Sequence, residues 1–347
     1  MLASICGGPV LAAGDPPLLD LAPVLDLRSV PYLDDAGRAG YADFLLMNLP
    51  RAFAVAPGGT FGWFRGSGGM EATRAGALKS CADKGGVGCA VYAEDLRVVW
   101  PGRQSGDLAP VPGALIQTGD YAFVPDPRYL WHGPQTALGV YVWGHGKAFG
   151  ATDLRGLQPQ AHLRAFNNAG FDIVRFDREP SNDYTGSAEG WLRDGLRVLR
   201  RKGWRKLVVG GQSRGAWNSL EMLSEPGLAD AVIAISPANF GGATGSDNAA
   251  DLYRITHSAA APAARVAVVQ FTGDIYVTDL NRRAGQLRDG LQPRVGGFLL
   301  IDQPPGIAGH GGGNNPAFAL HYANCLLHFV IDPSPPTSCP GQSYKPK

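Results

Sequence analysis

Beyond residue 136 the chain settles into a repeating alternation. Short apolar, β-branched runs fall at Ala137 to Trp143, Phe171 to Phe176, Lys206 to Val209, Ala231 to Ile235, Arg265 to Phe271 and Gly297 to Ile301. Segments of helical character separate them: Gln158 to Ala169, Ala188 to Lys202, Arg214 to Ser224, Leu280 to Leu291 and Ala317 to Val330. Short buried strands alternating with helices predict a mostly parallel sheet with helices on both faces. In such a sheet a ligand sits at the carboxyl ends of the strands.

The first part of the chain has a different rhythm. Residues 15–40 are rich in Pro, Asp and Leu without sustained periodicity and read as an extended leader. Phe53-Ala54-Val55, Phe61-Gly62-Trp63-Phe64 and Cys89-Ala90-Val91-Tyr92 read as strands around an Ala-rich helix from Ala72 to Cys81. They predict a small α+β module over residues 41–100. Residues 101–136, punctuated by proline and glycine, form a connection and the irregular first strands of the next unit. The α/β domain is placed at 112–331 and a tail at 332–347.

Composition narrows the classes. The 347 residues are 45% hydrophobic and 18% charged, with 31 Lys and Arg against 30 Asp and Glu. That is enough apolar residue for a full core, and too little net charge, +1, for a nucleic acid or anionic membrane partner. No apolar run after the N-terminus approaches the roughly 20 residues of a membrane-spanning helix. Leu2 to Gly14 is apolar and ends in the small-x-small pattern Ala12-Ala13-Gly14, although no Lys or Arg precedes it. Residues 1–14 therefore read as the remnant of a signal peptide, and the protein as secreted or periplasmic.

Cysteine usage agrees with export. Setting Cys6 aside with the leader, four remain, and four allow three pairings. Cys81 with Cys89 and Cys325 with Cys339 is the expected set, because each pair is close in sequence beside Gly- or Pro-rich loops. A bridge closing a loop of about 15 residues contributes on the order of 3 kcal/mol, which holds the tail down. No Cys-x-x-Cys occurs, so neither a zinc site nor a redox centre is expected.

The chemistry concentrates at one place. Lys206-Leu207-Val208-Val209-Gly210 runs into Gly211-Gln212-Ser213-Arg214-Gly215, and Ala216-Trp217-Asn218-Ser219-Leu220-Glu221-Met222 follows with helical character. Gly-x-Ser-x-Gly between a strand and a helix is a nucleophile elbow, whose tight turn needs both glycines and forces the serine outward. At this motif the chain resembles the α/β-hydrolase superfamily, its carboxylesterases and dienelactone-hydrolase-like members, over roughly Gln135 to Val330. The resemblance implies the α/β-hydrolase fold and a triad in the order serine, acid, histidine. Asp274, just past a strand in Gln270-Phe271-Thr272-Gly273-Asp274, and His310, in a glycine-rich loop expected to be mobile, take the other two places. The implied roles are nucleophile for Ser213, general base then acid for His310, and orienting carboxylate for Asp274. Asp279 and Asp302 are rivals for the acid, with a helix N-cap the simpler reading of Asp279.

Two backbone N–H groups complete the implied site as an oxyanion hole, Arg214 directly after the nucleophile and Lys147 in Trp143-Gly144-His145-Gly146-Lys147. His145 and Gly146 shape that loop. Lys147, Arg178 and Arg214 are read as solvated or salt-bridged side chains. The loops Asp177 to Tyr184 and Ser236 to Phe240 are candidate pocket walls. About 30 residues between Ile235 and Arg265 leave no room for a large lid. His132, His162, His257, His321 and His328 form no metal pattern, and no nucleotide-binding glycine loop occurs, so no metal or cofactor is implied. The second resemblance is of Ala77-Leu78-Lys79-Ser80-Cys81, ahead of a second cysteine and a strand, to a small module of exported bacterial proteins. It implies no activity. The expected function is hydrolysis of a small-molecule or polymeric carboxylic ester through an acyl-enzyme. Amide or peptide cleavage by the same triad, or a catalytically idle hydrolase fold used for binding, are the alternatives. Oligomeric state is not legible.

Overall fold

Two sheets organise the chain in a computed structural model that describes residues 23–147, 152–180, 187–239 and 245–340. The signal-peptide remnant 1–14 and Cys6 lie outside the described residues, as do Ser181 to Tyr184 and Phe240. The extended-leader reading of 15–40 needs correction, because helix α1 (Asp35–Leu45) begins inside it. Asp34 caps α1 by accepting from the Gly37 N–H at 2.7 Å. Its first turns, Asp35-Ala36-Gly37-Arg38-Ala39-Gly40, carry no large apolar side chain, so periodicity had nothing to register there. Tyr41, Phe44 and Leu45 alone anchor the helix. The buried Arg51 guanidinium then donates to the carbonyls of Phe44 (2.9 Å), Leu45 (2.6 Å) and Met47 (3.0 Å), closing the helix end.

The smaller sheet comprises β1 (Arg51–Val55), β2 (Phe61–Arg65), β3 (Ala90–Glu94) and β4 (Arg97–Val98), all antiparallel in the order β2-β1-β3-β4. Helix α2 (Gly69–Asp83) packs on it, and Gly62 is required where the α2 backbone crosses β2. Cys81 is bonded to Cys89 and Cys325 to Cys339, the pairing expected from the spacing. The first bridge ties the end of α2 to the approach to β3. The second ties the tail to the last helix, α8 (Pro316–Ile331).

The larger sheet contains β5 (Ile116–Gln117), β6 (Tyr121–Pro125), β7 (Gly139–Gly144), β8 (Phe171–Arg178), β9 (Leu207–Gln212), β10 (Ala231–Ile235), β11 (Ala261–Gln270) and β12 (Val295–Asp302). Their order is β5-β6-β8-β7-β9-β10-β11-β12, and β6 alone runs against its neighbours. This is the α/β-hydrolase fold. Alternate residues serve opposite faces. Tyr141, Ile173, Val208, Ile233 and Val269 pack towards α3 (Leu163–Asn168) and α8, whereas Val140, Val174, Val209, Val232 and Val268 pack towards α4 (Ser187–Lys202), α5 (Arg214–Glu221), α6 (Gly245–His257) and α7 (Leu280–Leu291). Trp217, on α5, is core. Among the described residues no helix is long and apolar enough to cross a membrane.

Helix α3 is shorter than the segment Gln158 to Ala169. Pro159 disfavours helical backbone at Gln158. The Gln158 amide instead accepts from the Leu49 N–H and donates to the Leu49 carbonyl, both at 2.9 Å. Asn48 donates to the Pro159 carbonyl at 3.0 Å. These bonds join the first sheet's surroundings to the second.

His162, at the start of α3, is fully buried between the rings of Tyr141 and Phe318, and burial pushes its pKa down to about 3. Between pH 6.5 and 3 the unfolded chain therefore holds one proton more than the folded protein. Stability contributed by neutral His162 is complete above about pH 6.5 and falls by about 1.4 kcal/mol per pH unit below it. Urea unfolding at pH 7.0, 5.5 and 4.5 should show a flatter acid limb for His162→Phe. Parallel limbs in variant and parent would contradict the assignment.

Candidate active site

The elbow is built as its sequence requires. Ser213 sits between β9 and α5 with φ 56° and ψ −117°, a conformation that costs a non-glycine residue about 1–3 kcal/mol. Surrounding hydrogen bonds impose it. The Ser213 N–H donates to the Ile235 carbonyl at 3.0 Å, and its own carbonyl accepts from Trp217 at 2.9 Å and Ala238 at 3.2 Å. A Cβ on Gly211 or Gly215 would collide with the Gly144 carbonyl, so both glycines answer to one backbone atom of β7.

Asp274 follows β11 and is 4% exposed. Its Oδ1 accepts from the Tyr276 N–H at 2.9 Å, and the Nδ1 of His310 lies 3.0 Å from Oδ1 and 2.9 Å from Oδ2. An ionised carboxylate only accepts, so Nδ1 carries the proton and Nε2 is left as the basic atom. That Nε2 is buried and has no hydrogen-bond partner, so its bond to Ser213 is not made in this state. The Tyr276 ring packs edge-on against the imidazole with centroids 4.4 Å apart. Rather than a loose loop, the histidine segment is pinned: Gly309 donates to the Thr272 carbonyl at 2.8 Å, and Gly312–Asn314 form a 3-10 turn. Gln212, one residue before Ser213, donates to the His310 carbonyl at 3.2 Å and joins the pinned loop to the elbow. Asp279 caps α7, accepting from the Arg282 N–H at 2.9 Å, and Asp302 accepts from Gln270 at 2.7 Å. Neither rival carboxylate serves His310.

The loop after β7 lies on the elbow. A Cβ added to Gly146 would stand 2.8 Å from Gln212 Oε1 and 3.5 Å from the Ser213 Cβ. Lys147 follows it, and Arg214 opens α5. Of the two readings of Arg178 and Arg214, burial at 0% and 4% exposure excludes the solvated one. Arg178 ends β8 instead of lying in a loop, and its Nη2 donates to the carbonyls of His145 (2.8 Å) and Gly146 (3.0 Å). Its backbone N–H donates to His145 Nε2 at 3.2 Å. His145 is therefore the Nδ1–H tautomer, donating in turn to the Gly146 carbonyl at 2.6 Å, and its part is structural.

Between α6 and α7 a cavity of about 600 Å³ opens, lined by Asn248, Leu252, Tyr253, Tyr276, Thr278 and Arg282 among others. Tyr276 is the wall it shares with His310. Pro237, in the other candidate wall, is held by the buried Arg283 guanidinium, which donates to its carbonyl; burial lowers the Arg283 pKa to about 10. Tyr276, Gln212 and Arg178 were not singled out from sequence for these contacts. The legible sign was a charged residue closing the apolar run of β8 at the site end.

No protein-family model matches the chain, and no curated protein matches it in sequence. Solved structures do. An esterase of Pyrococcus furiosus is 15% identical over 52% of this chain and 77% of its own, with a TM-score of 0.38. The acylaminoacyl peptidase of Pyrococcus horikoshii is 14% identical over 68% of this chain and 45% of its own, with a TM-score of 0.45. Est1E of Butyrivibrio proteoclasticus is 15% identical over 62% and 98%, with a TM-score of 0.43.

Proposed function

We propose that this protein is a serine hydrolase that cleaves carboxylic esters through an acyl-enzyme, outside the cytoplasm. The observation that carries the reading is the buried, unpartnered Nε2 of His310, whose Nδ1 is committed to Asp274 and whose loop is bonded to the residue preceding a strained, half-buried Ser213. Burying an unsatisfied nitrogen is costly, and a base waiting for a serine hydroxyl accounts for it. In this reading the Ser213 hydroxyl is the donor that Nε2 awaits. His310 then takes the hydroxyl proton as Oγ attacks the ester carbonyl, Asp274 stabilises the imidazolium, and the N–H groups of Lys147 and Arg214 receive the oxyanion. The proton passes from His310 to the departing alcohol. Water, deprotonated by the same imidazole, releases the acid and restores Ser213. The disulfides Cys81–Cys89 and Cys325–Cys339 support an oxidising compartment, where small or polymeric esters are the accessible substrates.

A substrate panel tests the reading: short- and long-chain nitrophenyl esters, an aromatic acid ester, an insoluble polyester and a peptide amide. Turnover of short soluble esters is expected. Exclusive cleavage of the amide would replace the ester reading with a peptidase one, and silence on every substrate together with no fluorophosphonate labelling would favour a binding role.

A further inference from the structure

We infer that Arg178 is a positioning residue for catalysis, setting the direction and strength of the oxyanion-hole donors from beneath the His145-Gly146-Lys147 loop. This rests on the hydrolase reading above and adds to it a residue outside the triad and its donors. A trans peptide is planar, with its C=O and N–H pointing to opposite sides. The Gly146 carbonyl belongs to the same peptide unit as the Lys147 N–H, and the His145 carbonyl to that of the Gly146 N–H. One nitrogen, Nη2 of Arg178, holds both carbonyls, at 3.0 and 2.8 Å, and the Nδ1–H of His145 grips the Gly146 carbonyl a second time. With both carbonyls turned into the protein towards a buried guanidinium, both N–H groups are turned away from it. A Cβ added to Gly146 would stand 3.5 Å from the Ser213 Cβ, so the loop that carries these N–H groups borders the serine.

The same contacts act electronically. A carbonyl that accepts from a cation in a low-dielectric interior is polarised, and its peptide N–H becomes a stronger donor. The guanidinium passes beside the end of β7, where a Cβ on Gly144 would be in ordinary contact with its Nη1 at 3.4 Å and closer, 3.1 Å, to the Gly215 Cα. The planar guanidinium holds Nη2 between the two carbonyls with less loss of rotamer freedom than a flexible lysine would, and the backbone N–H of Arg178 separately fixes the His145 ring.

Arg178→Met, Arg178→Lys and the parent protein should be compared on one soluble nitrophenyl ester and against a trifluoromethyl ketone, which forms a stable oxyanion on the serine. Arg178→Met is expected to lower kcat about 100-fold with KM within about threefold, the size of losing one oxyanion donor, and to weaken the ketone by the same factor. Arg178→Lys should recover about tenfold of that loss and stands in if the methionine variant does not fold. Hydrogen exchange across Trp143 to Lys147 should quicken in both variants while exchange at Asp274 and His310 is unchanged. A folded Arg178→Met or Arg178→Lys with parental kcat and parental exchange would overturn the inference and leave the hydrolase reading intact. A parent protein that turns over no ester and binds no ketone would overturn the hydrolase reading instead, and unaltered exchange in the loop would then sink the positioning role independently.

Discussion

Ser213→Ala is expected to lower kcat by about five to six orders of magnitude while leaving the fold unchanged. The size follows from how triads act: the serine, histidine and acid work as one unit, so losing the nucleophile removes nearly all that the unit contributes, and the residual rate comes from the oxyanion donors and binding alone. The fold should persist because Ser213 holds its place through backbone bonds to Ile235, Trp217 and Ala238, none of which involves Oγ. Alanine bears the same positive φ as serine at similar cost. Mass spectrometry of fluorophosphonate-treated protein reads the outcome directly: one adduct on the parent, none on Ser213→Ala. An adduct surviving in the variant would place the nucleophile elsewhere.

The second large effect separates Asp274 from its neighbour in sequence. Asp274→Asn should lower kcat by roughly 10⁴, because an amide presenting its NH₂ to Nδ1 favours the imidazole tautomer that has a proton on Nε2, where the serine needs a base. Asp279→Ala should leave kcat at the parental level and cost about 1 kcal/mol of stability through loss of the α7 cap. Steady-state kinetics and urea unfolding of both variants decide the matter. A crippled Asp279→Ala beside a healthy Asp274→Asn would reverse the acid assignment.

The elbow at Ser213 was legible in the sequence because it depends on residue type within a few positions, and the resemblance it carries implied the order serine, acid, histidine, with Asp274 ahead of its rivals. A glycine must stand two places either side of the serine, and a carboxylate must follow a strand end. Strands such as Ala231–Ile235 and helices such as Leu280–Leu291 were equally legible, since alternation and helical period are local. Helix α1 was not, because its first turns lack the side chains that periodicity counts.

Sequence by itself thus determined the alternation that makes a covered parallel sheet and the strained turn at Ser213, and it favoured the two short-range cysteine pairs among three possible pairings. Tertiary structure alone decided which carboxylate faces His310, that His310 is pinned to Gln212 and not loose, and that Arg178 is buried beneath the His145-Gly146 loop instead of meeting solvent. The physical reason is one of range. Backbone turns and hydrophobic period are fixed by neighbours in the chain, whereas an arginine's burial and a carboxylate's partner depend on strands β7 and β8 lying side by side and on the ends of β11 and β12 meeting, contacts that no local pattern encodes.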